Sequence, residues 1–281
     1  MSYHFGKRAL PIVTDSLWID FRPNSYSGTT VYDQSGNGRN ATLYNGASVS
    51  TTPTGETAFY TDGVNDAIHY RITSASQKPS TGFPFTGEAW LYRDDSSTIA
   101  GKNAQFGKPH NSRNRFFDFQ IYQSTAVSSL NRAFFSQFYT NMVTSGDNDY
   151  LGAYQGDFNS MVTLQSDYST TNQTWYHCAT VWYEDGAGKL TLDFYVNGVK
   201  VLNGVQTTAA TPYYATNAAW PWEGTVSTTY PMSWGFGYRE RYSVADTYDE
   251  GYSGDFRMYT KALTQSEIQQ NFNATKSNYG Y

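Results

Sequence analysis

The sequence predicts an all-β fold, an antiparallel β-sandwich closed by one short C-terminal helix, in a chain of 281 residues. Short runs rich in aromatic and β-branched residues recur along the chain, separated by clusters of Gly, Asn, Asp and Ser, the pattern of strands joined by polar turns. These runs do not alternate with long helical periods, so a parallel sheet is not expected. Hydrophobic residues make up 39% and aromatic residues 17%, with 25 Tyr and 17 Phe. That is enough to bury a core in one large domain.

Residues 1–14 show little periodicity and read as an extended arm carrying His4, Phe5, Lys7, Arg8 and Pro11. Such an arm either folds back on its own domain or docks on a neighbouring subunit, leaving 15–281 as the sandwich domain. Leu17 to Phe21 reads as the first strand, Asp33 to Asn40 as a Gly- and Asx-rich turn, and Ala41 to Tyr44 as a further strand. Strands are also expected at Thr57 to Tyr60, Ala67 to Ile72, Gly87 to Tyr92, Phe116 to Tyr122, Arg132 to Tyr139 and Ser160 to Leu164. Trp175 to Tyr183, Lys189 to Val196 and Val199 to Val201 form a meander, the first link Gly-rich and the second an Asn197-Gly198 type I′ turn. Thr264-Gln-Ser-Glu267 is a capping box, and Ile268 with Phe272 supplies one apolar stripe of a helix.

Three stretches together resemble the laminin-G-like, concanavalin A-like jelly rolls, especially the pentraxin-like subset found in phage and bacterial surface proteins. Asp33 to Ala41 follows the family's Asp-x-Ser-Gly-Asn-Gly-x-x-Ala turn. Trp175-Tyr-His177-Cys-Ala179, followed by Tyr195-Val-Asn197-Gly198, is similar to its Trp-x-His strand and Asn-Gly hairpin. Gly251 to Ile268 is similar to its closing strand and helix. The resemblance frames the chain from Trp18 to Phe272 and leaves Thr98 to Asp167 and Gln206 to Ser233 unmatched. It implies calcium as the family's usual ion, held by backbone carbonyls and an Asp three residues before the closing-strand Arg. That position is Gly254, and the period of two along a strand should turn the adjacent Asp255 to the opposite face. Asp62 and Asp66 offer hard oxygens for calcium, with plain Asx turns as the favoured reading. No other cofactor is expected.

The single cysteine, Cys178, forms no internal disulfide, and four scattered histidines with it make no structural zinc site. Trp175 and Tyr259 read as core, and His177 as core or strand-flanking rather than a ligand. A net charge of −5 without Lys/Arg clusters argues against nucleic acid as a partner. No apolar run suits a signal peptide or membrane insertion. Sandwich glycosidases carry carboxylates alternating along one strand, and no such Glu-x-Asp-x-Glu run occurs here. Asp94, Asp95, Asp147 and Asp149 sit in loop-like surroundings, Asp118 stands alone, and no nucleophile elbow or phosphate loop is present. No catalytic residue is therefore expected.

Tyr213, Tyr214, Trp220 and Trp222 concentrate aromatic surface in a long loop, which suits a satellite core, an interface or a sugar-binding face. Arg239 and Arg241, between Tyr238 and Tyr242, suit an interface rim. The expected role is a non-enzymatic virion component, a decoration or attachment module of a phage head, neck or tail, anchored by the arm. Its expected partners are other virion proteins and copies of itself. The alternatives are an adhesin for host polysaccharide and, third, a glycosidase or lyase with an unfamiliar site.

Overall fold

The computed structural model describes residues 10–77, 79, 84–93, 104–109, 117–122, 133–138, 173–184, 190–206, 232–236, 238–241, 244–248 and 250–281. In chain order the strands are β1 (Leu17–Phe21), β2 (Tyr26–Ser27), β3 (Thr30–Val31), β4 (Ala41–Tyr44), β5 (Ser48–Thr51), β6 (Thr57–Asp62), β7 (Ala67–Ile72), β8 (Phe85–Arg93) and β9 (Ala104–Pro109). They continue with β10 (Phe117–Tyr122), β11 (Ala133–Phe138), β12 (Thr174–Glu184), β13 (Leu190–Val196), β14 (Val199–Gln206), β15 (Met232–Phe236), β16 (Tyr238–Arg241), β17 (Val244–Tyr248) and β18 (Glu250–Tyr259). Helix α1 (Gln265–Thr275) and a 3-10 turn (Lys276–Tyr279) close the chain. The expected strand at Ser160 to Leu164 lies outside the described residues.

One antiparallel sheet has eight strands in the order β14-β13-β12-β8-β18-β6-β5, with β1 also paired to β18. A second has six, β2-β3-β4-β7-β15-β9, and β10 with β11 and β16 with β17 form two separate two-stranded pairs. The chain is therefore an all-β antiparallel sandwich with one short helix, as the turn-punctuated sequence predicts. Its main core is the space between the sheets, where Ile19, Phe21, Phe85, Cys178, Phe194, Phe256 and Met258 of the larger sheet meet Val31, Ala41, Ile68, Ile72 and Phe236 of the smaller. The burial of Cys178 pushes its thiol well up, which suits a packing role.

A second apolar layer lies on the other face of the larger sheet. Strand period two puts Trp90 and Tyr92 of β8 and Trp175 of β12 there, against Phe272 of α1 and Tyr279 of the 3-10 turn. Val13, Leu17, Tyr195, Tyr259, Leu263 and Ile268 extend the layer. The expected core residues Trp175 and Tyr259, 2% and 0% exposed, thus sit beneath the helix rather than between the sheets. The capping box forms as expected: Glu267 N donates to Thr264 Oγ1, and Thr264 N donates to Glu267 Oε2.

Of the residues expected to form an arm, 10–14 run along the domain's own helix. Val13 N donates to Asn271 Oδ1 at 2.7 Å, Tyr259 Oη donates to Val13 O at 3.2 Å, and Gln270 Nε2 donates to Pro11 O at 2.6 Å. For these residues the arm takes the folded-back form, packed on its own domain. His4, Phe5, Lys7 and Arg8 lie outside the described residues.

Candidate functional site

The helix covers a buried charged network. Asp20 of β1 and Glu88 of β8 interrupt largely apolar strands and, with Arg257 of β18, share the outer face of the larger sheet, where β1 and β8 flank β18 in register. Arg257 reaches all three neighbouring carboxylates: Nε lies 3.1 Å from Asp20 Oδ1, Nη1 3.2 Å from Glu88 Oε1, and Nη2 2.6 Å from Asp255 Oδ2. Asn271 of α1 donates to both oxygens of Glu88 and lies 2.9 Å from Tyr259 Oη. Arg22 donates to Asp20 Oδ2 from the solvent side.

Burial pushes the Asp20 carboxyl up, against the pull of Arg257 and Arg22. Burial acts in the same sense on Glu88, but His177, Arg257 and Asn271 outweigh it and hold that carboxyl below its ordinary range. Burial would lower Arg257, and its carboxylate partners instead raise it. His177 is fully buried between Trp90 and Phe272, with Nε2 3.5 Å from Glu88 Oε2. Glu88 ties α1 to the sheet through Asn271, Asp255 ties the 3-10 turn through Tyr279, and all three carboxylates, Asp20 included, are buried.

Gly254 and Asp255 together correct the expectation from strand parity. The β18–β8 register slips between Ser253 and Phe256, a bulge that places Gly254 and Asp255 toward the helix together. Asp255 is buried on the face of Arg257, two residues on, and the bulge turns Gly254 to that face as well instead of to the opposite one. The residues around Gly254 do not fit the calcium aspartate that the resemblance implies. A Cβ on Gly254 would stand 2.6 Å from the Tyr279 ring and hydroxyl and 2.7 Å from Trp90 Cβ. Tyr279 Oη already closes the bulge, accepting from Asp255 N at 2.7 Å and donating to Asp255 Oδ1 at 2.8 Å.

The Asp33 turn is likewise spent on structure. Asp33 accepts from Asp20 N, Ser35 N, Ser35 Oγ and Arg39 N, while Asn37 Nδ2 donates to Leu17 O and Trp18 O. The motif ties a loop to β1 through Asx side chains. Asn197 and Gly198 adopt φ of 50° and 76°, the left-handed pair that a type I′ turn requires.

The turn from Asp62 to Asp66 is different because part of it is exposed. Val64 N donates to Asp62 Oδ1 and Asp62 N to Asp66 Oδ2, so the expected Asx turn forms. Among the described residues no three of His, Cys, Asp and Glu gather as metal ligands, at this turn or elsewhere. Beside it, half-buried Tyr60 and Tyr252 lie with ring centroids 5.0 Å apart, their planes tilted by 46°.

Tyr213, Tyr214, Trp220 and Trp222 lie outside the described residues. Arg239 and Arg241 lie on β16, opposite Thr247 and Val244 of β17. Sequence reasoning did not single out Asp20, Glu88 or Asn271, or the Tyr60/Tyr252 pair. A signal was available for the first two, a lone charge inside an apolar strand, which is stable only when paired.

No protein-family model matches the chain, and no curated protein matches it. Its fold is similar to that of Trypanosoma rangeli sialidase in complex with sialic acid, at a TM-score of 0.54 and 13% identity over 95% of this chain and 34% of that one. The same sialidase in complex with a difluoro-KDN gives 0.55 and 14% over 94% and 33%. The binding domain of botulinum neurotoxin serotype D/C gives 0.51 and 12% over 93% and 52%. The chain spans about a third of the sialidase chains and about half of the toxin chain. The likeness is one of fold: a β-sandwich domain.

Proposed function

We propose that this chain is a non-enzymatic attachment module, a lectin-like sandwich that recognises a surface polysaccharide. The observation that carries the reading is the commitment of the buried carboxylates. Asp20, Glu88 and Asp255 are 0%, 0% and 4% exposed and held by Arg257 beneath α1. Most glycoside hydrolases work with two carboxyl groups open to a sugar on either side of the scissile bond, and these three are closed to it. Binding then falls to residues outside that network, for which Tyr213, Tyr214, Trp220 and Trp222, with Arg239 and Arg241, are the candidates from the sequence. The sialic acid complex of the sialidase and the toxin binding domain lend support at the level of fold. The test is a broad glycan array: binding that Trp220→Ala and Trp222→Ala abolish is expected. Silence across the array, or turnover of a bound glycan by purified protein, overturns the reading.

The virion-decoration role is a narrower form of the same reading. Since residues 10–14 already serve their own domain, its anchor falls to residues 1–9, with His4, Phe5, Lys7 and Arg8. Deleting residues 1–9 should remove the protein from particles while leaving it folded by circular dichroism; unchanged occupancy sinks the anchoring role.

A further inference from the structure

The outer face of the larger sheet carries carboxylates that no Lys or Arg among the described residues pairs. Glu250 of β18 lies directly opposite Asp62 of β6, and two residues along, Tyr252 lies directly opposite Tyr60. Like charges directly opposite across an antiparallel pair oppose each other, and strand period two puts both pairs on one face. Asp66 adds a third carboxylate: its Oδ2 accepts from Asp62 N, its residue is 2% exposed, and its Oδ1 accepts no hydrogen bond. The described ion pairs give no Lys or Arg to any of the three. Beside them Tyr92 stands edge-on to Tyr252 at 5.6 Å, so the aromatic layer beneath the helix emerges at Tyr60 and Tyr252.

We propose that Tyr60, Tyr252, Glu250 and the Asp62–Asp66 turn form a binding site for an alkylammonium group, quaternary or primary, carried by a ligand with apolar carbon next to the charge. Tyrosine faces attract a cation within about 6 Å of the ring, and the opposed carboxylates supply the counter-charge about two strand residues away. A divalent metal would need several oxygens converging at one point, which the three carboxylates do not provide. Burial and the charges of Glu250, Asp62 and Asp66 push the Tyr60 hydroxyl up, in keeping with a negative field over the rings. Desolvation and the neighbouring Asp62 likewise push Asp66 up, a repulsion that a bound cation relieves. This site is separate from the polysaccharide reading and stands or falls without it.

The test is titration of the full chain with choline chloride and with Nα-acetyl-lysine amide, followed by the ring resonances of Tyr60 and Tyr252. Sodium chloride at matched ionic strength and calcium chloride serve as the other arms. Saturable shifts with at least one ammonium probe, on the order of millimolar affinity, and none with sodium are expected. Tyr252→Leu should weaken binding at least about threefold, and Glu250→Gln should weaken it while raising the thermal midpoint of the ligand-free protein. The second readout keeps the test informative if Tyr252→Leu fails to fold. No saturable shift with either ammonium, or saturation by calcium alone, overturns the proposal. A Glu250→Gln midpoint that does not rise removes the argument from repulsion and overturns it as well.

Discussion

Arg257 shows how one buried residue can organise several elements. Its guanidinium is 1% exposed and meets Asp20, Glu88 and Asp255, from β1, β8 and its own strand. Removing one partner of such a network leaves buried charge without compensation, so Arg257→Met should cost about 3–5 kcal/mol in urea denaturation. A loss within experimental error would show that water reaches the carboxylates. Gly254 imposes the opposite kind of constraint, because Tyr279 and Trp90 fill the space a side chain would take. Gly254→Asp should therefore destabilise by about 3 kcal/mol, and added calcium should leave its thermal midpoint unchanged. Recovery of that midpoint by calcium would mean that Tyr279 can yield the position to an ion.

At the scale of elements, α1 and the 3-10 turn hold the outer face through a few side chains. Thr264 caps the helix and Glu267 completes the box, so Thr264→Ala should cost about 1 kcal/mol by thermal denaturation. Tyr279 stacks on Trp90 at 4.4 Å and bridges the bulge with its hydroxyl. Tyr279→Phe keeps the stacking and removes the bridge, leaving Asp255 N without that acceptor. A loss of about 1–3 kcal/mol is expected, and faster hydrogen exchange of the Asp255 amide should accompany it. Much of this element was legible beforehand: the capping box and the Ile268/Phe272 stripe locate the helix. The bulge was not, since Gly254-Asp255 looks like any strand pair and only the slipped register turns both residues one way.

For the whole molecule, stability should vary with pH through these groups with opposing signs. The folded Glu88 carboxyl lies below its ordinary range. Its contribution is therefore present above the unfolded value and lost as pH falls through the folded one. Asp20 lies above its ordinary range, so its contribution is present below the unfolded value and lost as pH rises through the folded one. The stability gap between the native chain and Glu88→Gln should accordingly shrink between about pH 7 and about pH 3. A gap that stays constant in denaturant titrations across that range would remove Glu88 from the acid response.

The sequence by itself determined the sandwich, most strand positions, the Asn197-Gly198 turn and the capped helix. These depend on local period, turn chemistry and capping, which act over a few residues. Two-residue strands such as Tyr26–Ser27 and Thr30–Val31 were not legible, because two residues carry no period. Only the tertiary structure decided which charges meet. Asp20, Glu88, Asn271 and Arg257 are far apart in the chain, and their contact follows from strand order and the helix's return over the sheet. The tyrosine and carboxylate pairs of β6 and β18 likewise exist only through register, because a one-residue slip would send them to opposite faces.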